Sequence, residues 1–341
     1  MRVKTLVYVV YKLIILLFIV CNVSCTRTDE IFANDDKIYF KFSDSILLKH
    51  NLKILDVGNS YTNDATAFLP YLVKKLGVNI DDVCLYKAIL GGASFKHWYN
   101  VYHDLNSSSY VVSKVVGGID ANVEEGTGDA FDGSYFRRLL SDETWDVIII
   151  HPLSRYATNY EEWWLHDNAG YLRELLEILL EHQPNCNIGF LLVHSPSSDY
   201  ITNVEHSSLV RWEHIANAAQ RFVEEYRIPV LIPYGTAIQN LRATEFNNGA
   251  ELTRDGTHLG NGLARYTAAC CYYESLLAPR TGVSILGQDI SYEIVENPET
   301  SQYSVIASNM ETAQKAAVLA CKYPYSYLNP NDFEIEQIIH Y

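Results

Sequence analysis

The sequence predicts an α/β fold, a three-layer α/β/α sandwich around a mostly parallel central sheet. Its 341 residues are 48% hydrophobic and 20% charged, which is typical of a folded protein rather than a disordered or coiled-coil chain. Short apolar runs alternate with amphipathic helix candidates along the chain. The runs are nearly continuous rather than alternating, as in strands that are buried on both faces. They are 53–57, 83–89, 145–150, 188–193 and 230–232.

The amino-terminal segment has the pattern of a lipoprotein signal peptide. Arg2 and Lys4 precede an apolar run over residues 6–21, and small or polar residues then lead to Cys25. A transmembrane anchor is the alternative, but this run is shorter than the roughly 20 residues that a membrane span needs. We therefore expect residues 1–24 to be removed and Cys25 to be lipidated.

Charge limits the classes of partner. The chain has 26 basic and 41 acidic residues and a net charge of −15. Removal of residues 1–24 takes away three positive charges and no negative ones, so the mature chain carries −18. This charge argues against nucleic acid or an anionic membrane surface as the main partner. We expect a small-molecule or carbohydrate partner, with the membrane reached only through the lipid anchor, and a location in the bacterial cell envelope.

The rest of the chain divides into a tether and one domain. Residues 25–50 are polar and predict a tether that ends in an edge strand at Ile38–Phe42. Residues 51–341 predict a single domain, in which 100–135 looks like an insertion rich in Ser, Gly and Asp. A carboxyl-terminal extension starts near residue 283. The remaining predicted elements are a helix over 64–76, further helices around 172–179 and 212–226, a β-like segment at 303–307 and a final helix over 310–321.

A serine follows the first predicted strand. In Gly58-Asn59-Ser60-Tyr61-Thr62 the hydroxyl of Ser60 would be exposed at the carboxyl edge of the sheet, where ligands of such folds bind. Gly58 would permit the tight turn. The motif also fits a simple helix N-cap without any catalytic role.

An acidic residue precedes a histidine near the other end of the domain. In Asp255-Gly256-Thr257-His258 the carboxylate can fold back to the imidazole three residues later and fix its tautomer. The second ring nitrogen is then free to accept a proton from a serine. A helix-capping turn is the alternative interpretation. Ser60 and this pair are both expected at the loop edge of one sheet, which favours a catalytic interpretation of the two motifs together.

These motifs resemble blocks I, II and V of the SGNH/GDSL hydrolase superfamily of esterases and lipases. The matching residues are Gly58-Asn59-Ser60, Gly91-Gly92-Ala93-Ser94 and Asp255-Gly256-Thr257-His258. The resemblance covers roughly residues 51–282 and is strongest to a largely uncharacterised bacterial branch. It implies a flavodoxin-like fold and a serine mechanism without a cofactor.

The resemblance also implies roles for individual residues. Ser60 matches the nucleophile, His258 the general base and Asp255 the residue that orients it. The backbone N–H groups of Ser60 and Gly92 match two oxyanion donors. The third block departs from the superfamily pattern and has His151 where the third donor is expected. His151 is either that donor, through a ring N–H, or a hydrogen-bonded wall of the site.

The remaining candidates concern the substrate. Three residues are candidates for substrate contact. Asn59, which replaces the Asp of Gly-Asp-Ser, and His194 follow predicted strands, and Trp98 is expected on a loop near the same edge of the sheet. The histidines show no His-Glu-x-x-His spacing, so we expect no metal site. We expect an esterase that cleaves a small acyl ester, such as an O-acetyl group on a carbohydrate. The alternative is a non-catalytic glycan-binding or scaffolding lipoprotein that retains the fold, and the sequence does not define the oligomeric state.

Overall fold

A computed structural model describes residues 46–105, 110–117, 133–154, 156–160, 171–200, 207–247, 249–292, 305 and 307–340. In this part of the chain a six-stranded sheet has the order β3-β2-β1-β4-β5-β6. Five strands are parallel, and β3 is antiparallel to β2. The strands are β1 Leu52–Gly58, β2 Val83–Ile89, β3 Val111–Val116, β4 Val147–Ile150, β5 Asn187–Leu191 and β6 Val230–Ile232.

Helices occupy most of the segments between these strands. The described α-helices are α1 Ser60–Thr66, α2 Leu69–Lys75, α3 Phe95–Tyr102, α4 Gly133–Ser141, α5 Tyr171–His182, α6 Ser208–Tyr226, α7 Tyr234–Arg242, α8 Leu263–Leu276, α9 Ala278–Thr281, α10 Ala307–Lys322 and α11 Ile335–His340. Short 3-10 helices are present at Ile46–Leu48, Ile80–Asp82 and Pro330–Asp332. Helix α8 contacts α1, α2, α7 and α10, whereas α3, α4 and α5 contact one another.

The strand order places a binding edge between β1 and β4. All four residues of β4 and all five of β5 are buried, so both faces of the sheet are covered. The five parallel strands alone have the flavodoxin-like order β2-β1-β4-β5-β6. The sheet is extended from β1 first toward β2 and then, starting with β4, on the other side of β1, so the strand order reverses between β1 and β4. The predicted three-layer α/β/α fold is confirmed, and the loops after β1, β2, β4 and β5 share the carboxyl edge of the sheet.

Several predicted elements differ from the structure. The segment expected to be an insertion, 100–135, includes the end of α3, all of β3 and the start of α4, because Val111, Val112, Val115 and Val116 extend the sheet beyond β2. The helix expected over 64–76 is two helices, and the first of them already begins at Ser60. Pro70 lies in the first turn of α2, a position where proline starts a helix. Helix α10, expected in an extension, packs on α7 and α8 and is largely buried.

Other expectations concern parts of the chain outside the described residues. They include the signal peptide, Cys25 and the edge strand at 38–42. Val305, within the expected β-like segment 303–307, forms an isolated antiparallel bridge with Tyr292. No helix in the described part of the chain is long and apolar enough to cross a bilayer.

Candidate active site

Ser60 is the first residue of α1 and follows β1 after a single residue. Asn59 is the N-cap of this helix, and its side-chain Oδ1 accepts a hydrogen bond from the backbone N–H of Tyr61 at 2.9 Å. An N-cap of this kind satisfies one of the backbone donors left free at the start of a helix. The short connection holds the Ser60 side chain at the carboxyl edge of the sheet, where it is half-buried.

The structure brings Ser60, His258 and Asp255 into one hydrogen-bonded line. His258 Nε2 is 2.8 Å from Ser60 Oγ, and His258 Nδ1 is 2.7 Å from Asp255 Oδ2. Because a carboxylate only accepts, Nδ1 carries the ring proton and Nε2 is left to accept the proton of the serine hydroxyl. The arrangement has the connectivity of a serine-hydrolase triad.

The turn from Asp255 to His258 fixes the carboxylate. Its Oδ1 accepts hydrogen bonds from the backbone N–H groups of Thr257 at 3.0 Å and His258 at 2.7 Å. Partial burial raises the pKa of Asp255, but these hydrogen bonds and the nearby imidazole outweigh burial and leave the pKa well below its usual value. Asp255 is therefore ionised across the pH range in which His258 would act. Gly256, with φ +85°, lies in the left-handed region that favours glycine.

Asp64 ties the histidine loop to the nucleophile helix. It is fully buried on α1 and accepts hydrogen bonds from the backbone N–H of Leu259 at 2.8 Å, from Arg254 at 2.9 Å and from Arg265 at 2.6 Å. Two guanidinium groups and a backbone donor compensate the cost of burying this carboxylate. The sequence analysis did not identify Asp64. Its position four residues after Ser60, one helical turn further along α1, is the only signal that points to it.

The turn that holds Gly92 is attached to the nucleophile at two points. The backbone N–H of Leu90 donates to the carbonyl of Gly58 at 3.1 Å, and Asn59 Nδ2 donates to the carbonyl of Ala93 at 2.9 Å. Gly92 is exposed and has φ +65°, which favours glycine. The turn thus lies beside Ser60, as the expected role of Gly92 requires.

Asn59 does not contact substrate, contrary to the expectation. Its side chain is 1% exposed, and both its amide atoms are used by the N-cap and by Ala93. The expectation followed from the position of Asn59 next to the nucleophile. In the structure the residue points inward and joins the two turns that hold Ser60 and Gly92.

His151 lies at the end of β4 with both ring nitrogens engaged. Its Nδ1 is 3.1 Å from the carbonyl oxygen of Pro152 and its Nε2 is 3.0 Å from Thr62 Oγ1. The side chain is 3% exposed, and burial lowers the pKa of His151 to about 4. With both nitrogens occupied, neither ring N–H is directed at a substrate oxygen. The geometry favours the alternative of a hydrogen-bonded wall over the donor role.

His194 follows β5 and lies behind the triad rather than in a substrate pocket. It is fully buried, with Nε2 2.7 Å from the carbonyl oxygen of Thr257 and Nδ1 3.0 Å from the hydroxyl of Tyr234. Its ring stacks on Tyr61, and Tyr61 in turn meets His258 edge-on. Burial lowers the pKa of His194 to about 3, so the ring is neutral. The expected substrate contact is wrong because His194 is buried inside the fold, where it supports the loop that carries His258.

Trp98 is part of the hydrophobic core, which also corrects the expectation. It is 2% exposed, packs on Tyr110 and Phe136, and donates its indole N–H to the carbonyl of Gly58 at 3.2 Å. In α3 the residues Phe95, Trp98 and Val101 form the buried stripe of an amphipathic helix. The tryptophan is thus directed inward by the helical period.

A groove of about 510 Å³ adjoins the Asp255 side of the triad. The residues that line it are Ser197, Asp199, Tyr200, Gly249, Ala250, Thr253, Arg254, Asp255 and Gly256. The catalytic candidates themselves are open to solvent, since the side chain of His258 is 29% exposed and that of Asp255 is 48% exposed. Among the residues that the structure describes, no cluster of three or more His, Cys, Asp and Glu side chains could hold a metal ion.

Comparisons with solved structures give several matches. A DUF4886 family protein from Bacteroides uniformis shares 24% identity and a TM-score of 0.61, over 83% of this chain and 99% of that one. A protein from Slackia heliotrinireducens assigned to the SGNH hydrolases shares 16% identity and a TM-score of 0.41, over 66% and 98%. An acetylxylan esterase from Geobacillus stearothermophilus shares 11% identity and a TM-score of 0.42, over 67% and 95%. A search of curated proteins gives no match.

The first of these similarities confirms the fold. A family model described as a domain of unknown function, DUF4886, matches residues 53–304, which is most of the chain and includes every residue of the triad arrangement. This agrees with the largely uncharacterised branch that the motifs indicate. The chain therefore belongs to the DUF4886 family.

Proposed function

We propose that the protein is a serine esterase that forms an acyl-enzyme on Ser60. The observation that carries the proposal is the line of hydrogen bonds from Ser60 Oγ through the His258 ring to Asp255, at 2.8 and 2.7 Å. A serine that only caps a helix does not need a histidine on its hydroxyl. A capping Asp255 does not need to hold that histidine in the tautomer that accepts the serine proton.

The mechanism follows from the positions of these atoms. Ser60 Oγ attacks the ester carbonyl carbon while His258 Nε2 accepts the hydroxyl proton, and Asp255 stabilises the resulting imidazolium. The carbonyl oxygen becomes an oxyanion facing the backbone N–H groups of Ser60 and Gly92. His258 then protonates the leaving alcohol, which departs. A water molecule gives its proton to His258 and hydrolyses the acyl-enzyme, which releases the acid and restores Ser60.

The proposed substrate is a small acyl ester, such as acetyl, on a carbohydrate. The solvent-open triad and the groove beside Asp255, which includes the side chains of Asp199 and Arg254, support a large alcohol portion such as a sugar chain. A long fatty acyl chain would instead require an extended apolar cleft. We therefore expect hydrolysis of p-nitrophenyl acetate and of acetylated oligosaccharides, and a marked loss of kcat/KM as the acyl chain is lengthened.

The proposal includes export and lipid anchoring at Cys25. It rests on the basic, apolar and cysteine pattern of residues 1–25. The wild-type protein should enter the detergent phase of a Triton X-114 extraction, whereas Cys25→Ser should remain an unlipidated precursor. Recovery of the wild type in the aqueous phase, with an unmodified amino terminus beyond residue 25, would contradict the anchor.

A fluorophosphonate probe tests the nucleophile most directly. The wild type should react covalently at Ser60, and mass spectrometry of the tryptic peptides should locate the adduct there. Ser60→Ala should remain folded, lose the adduct and lower esterase kcat by a factor on the order of 10⁴–10⁶. A wild type that does not react with the probe, yet binds glycans, would instead support the non-catalytic alternative.

A further inference from the structure

A second set of buried polar side chains lies directly beneath the nucleophile turn. Asp56 is in the middle of β1 and fully buried, and it accepts a hydrogen bond from the hydroxyl of Tyr272 on α8. Its other oxygen, Oδ1, is 3.1 Å from Thr62 Oγ1. The same threonine hydroxyl is 3.0 Å from His151 Nε2, and His151 Nδ1 is 3.1 Å from the carbonyl of Pro152.

Counting the protons of these hydrogen-bonded groups shows that the Thr62 hydroxyl lies between two possible acceptors but has only one proton to donate. The carbonyl of Pro152 can only accept, so His151 Nδ1 carries a proton. The hydroxyl of Thr62 has one proton but lies between Asp56 Oδ1 and His151 Nε2. If Asp56 is ionised and His151 is neutral, both neighbours are acceptors. One of the two contacts then brings lone pairs together at about 3 Å.

One additional proton satisfies every contact. If it resides on Asp56, the carboxylic acid donates to Thr62, and Thr62 donates to His151 Nε2. If it resides on His151, the imidazolium donates to Thr62, and Thr62 donates to Asp56. Both arrangements contain the same number of protons and differ only in whether Asp56 or His151 carries the additional proton.

The surroundings favour Asp56 as the residue that carries the additional proton. Burial raises the pKa of Asp56 to about 7, although the hydrogen bonds from Tyr272 and Thr62 oppose this increase. Lys87 on β2 pairs with Asp56 in the sheet register and also opposes it, but burial lowers the pKa of Lys87 and its ammonium group donates to Thr66 Oγ1.

His151 is a weak competitor for the proton. Burial lowers the pKa of its imidazole to about 4, although its hydrogen bond to Pro152 opposes that decrease. The other ionisable groups near Asp56 are the hydroxyls of Tyr272 and Tyr234, whose pKa values are raised well above the usual value, so both stay neutral. A neutral acid beside a neutral imidazole also avoids two buried charges.

We propose that Asp56, Thr62 and His151 share one proton that the folded protein retains at mildly acidic pH, with Asp56 as a neutral carboxylic acid. The three residues position the wall of the site and the first turn of α1, two residues from Ser60. The tests of this shared proton measure Asp56, Thr62 and His151 themselves and do not require esterase activity.

The glycine at position 58 fits this assignment. Gly58 does not have a positive φ, so it is not required by backbone conformation. A Cβ atom there would lie 2.2 Å from Thr62 Oγ1 and 2.4 Å from His151 Nε2. The hydrogen bond between these two atoms occupies the space of a side chain at position 58, which leaves room only for glycine.

Infrared spectroscopy of the wild type tests where the proton resides. At pH 5.5 to 6 we expect the carbonyl stretch of a buried carboxylic acid, which should be absent from Asp56→Asn and should disappear from the wild type at pH 9. In ¹⁵N spectra of the same protein, His151 should be neutral with its proton on Nδ1. A doubly protonated His151 together with no acid band at pH 5.5 to 6 would overturn the proposal. The comparison of pH 5.5 to 6 with pH 9 and the ¹⁵N spectra use only the wild-type protein, so they test the proposal even if Asp56→Asn fails to fold.

The pH dependence of stability gives a second test. The pKa of Asp56 is higher in the folded protein than in the unfolded chain, so the unfolded state loses this proton first as pH rises. The wild type should therefore lose stability relative to Asp56→Asn as pH rises from about 4 to about 7, and the difference should level off above that. The Asn amide can donate to Thr62 and accept from Tyr272 at every pH. A difference in Tm that does not vary over this range would overturn the assignment.

Matched threonine variants test the bridging hydroxyl. Thr62→Ser keeps the hydroxyl and should preserve the His151 ring signals and the acid band. Thr62→Val has nearly the same shape without the hydroxyl, and it should shift the Nε2 signal of His151 and the acid band of Asp56 together. If Thr62→Val leaves both signals unchanged, Thr62 does not connect the two groups and the shared proton is refuted.

Discussion

The substitution Asn59→Asp restores the acidic residue of the superfamily motif and should damage this protein. Asn59 Nδ2 donates to the carbonyl of Ala93 at 2.9 Å, and the residue is 1% exposed. A carboxylate at this position keeps the N-cap acceptor for Tyr61 but places a second oxygen against a carbonyl oxygen. The change therefore removes one buried hydrogen bond and replaces it with a repulsive contact.

The magnitude follows from the burial of both groups. Leaving a buried acceptor without its donor costs about 1–3 kcal/mol, and the unpaired buried charge adds to this cost. A total of about 3 kcal/mol would lower Tm by roughly 4–5 °C in a protein of this size. Because the Ala93 carbonyl belongs to the turn that carries Gly92, kcat should fall as well, by up to the roughly 10²–10³-fold expected for a lost oxyanion donor.

The pH dependence of Tm distinguishes this mechanism from general disruption. Once protonated, the introduced carboxyl group can again donate to Ala93, so the variant should recover toward wild-type stability as pH falls toward about 4. Asn59→Ser is the matched control because serine can cap the helix but does not reach Ala93. Its deficit should be independent of pH. An Asn59→Asp variant with wild-type Tm and kcat at pH 8 would refute the assigned role of Asn59.

Substitutions at three further residues test the side chains around the triad. Asp64→Asn removes the charge that holds the loop of His258. It should lower the free energy of unfolding by about 3 kcal/mol, measured by chemical denaturation, and should also lower kcat. An unchanged denaturation midpoint would contradict this role of Asp64. His194→Phe should lower kcat roughly tenfold by losing the donor to Thr257, and His194→Gln, which retains a donor, should recover most of it. His151→Ala should lower Tm, with a kcat loss smaller than the 10²–10³-fold of a lost oxyanion donor; a full loss at unchanged Tm would restore the donor role.

The central fold was predictable because its strands are buried on both faces. The nearly continuous apolar runs of β1, β2, β4, β5 and β6 distinguish them from loops without any knowledge of their neighbours. β3 was missed because it is an antiparallel strand at the edge of the sheet, where its pattern includes exposed Lys114 among valines. The surrounding Ser, Gly and Asp residues then made the whole segment look like an insertion.

The site was predictable where a motif is local in sequence. Asp255 and His258 are three residues apart, and their turn is fixed by backbone hydrogen bonds that the spacing itself implies. The inward-facing residues were misjudged because position after a strand does not show which way a side chain points. Trp98 was expected on a loop, but the helical period of α3 directs it into the core. His194 follows a predicted strand, but its ring is buried against Tyr61.

Helix α1 joins the parts of the site that come from distant segments. It has only seven residues, too few for its backbone hydrogen bonds to hold it as a helix without tertiary contacts. Its inward side chains bind two loops: Tyr61 donates to Ser154 and Thr62 contacts His151, both after β4, and Asp64 holds the loop of His258. The position of Ser60 therefore depends on side chains rather than on helix propensity. A substitution on the inner face of α1 should change the site through the loop that it binds, even where it touches none of the triad.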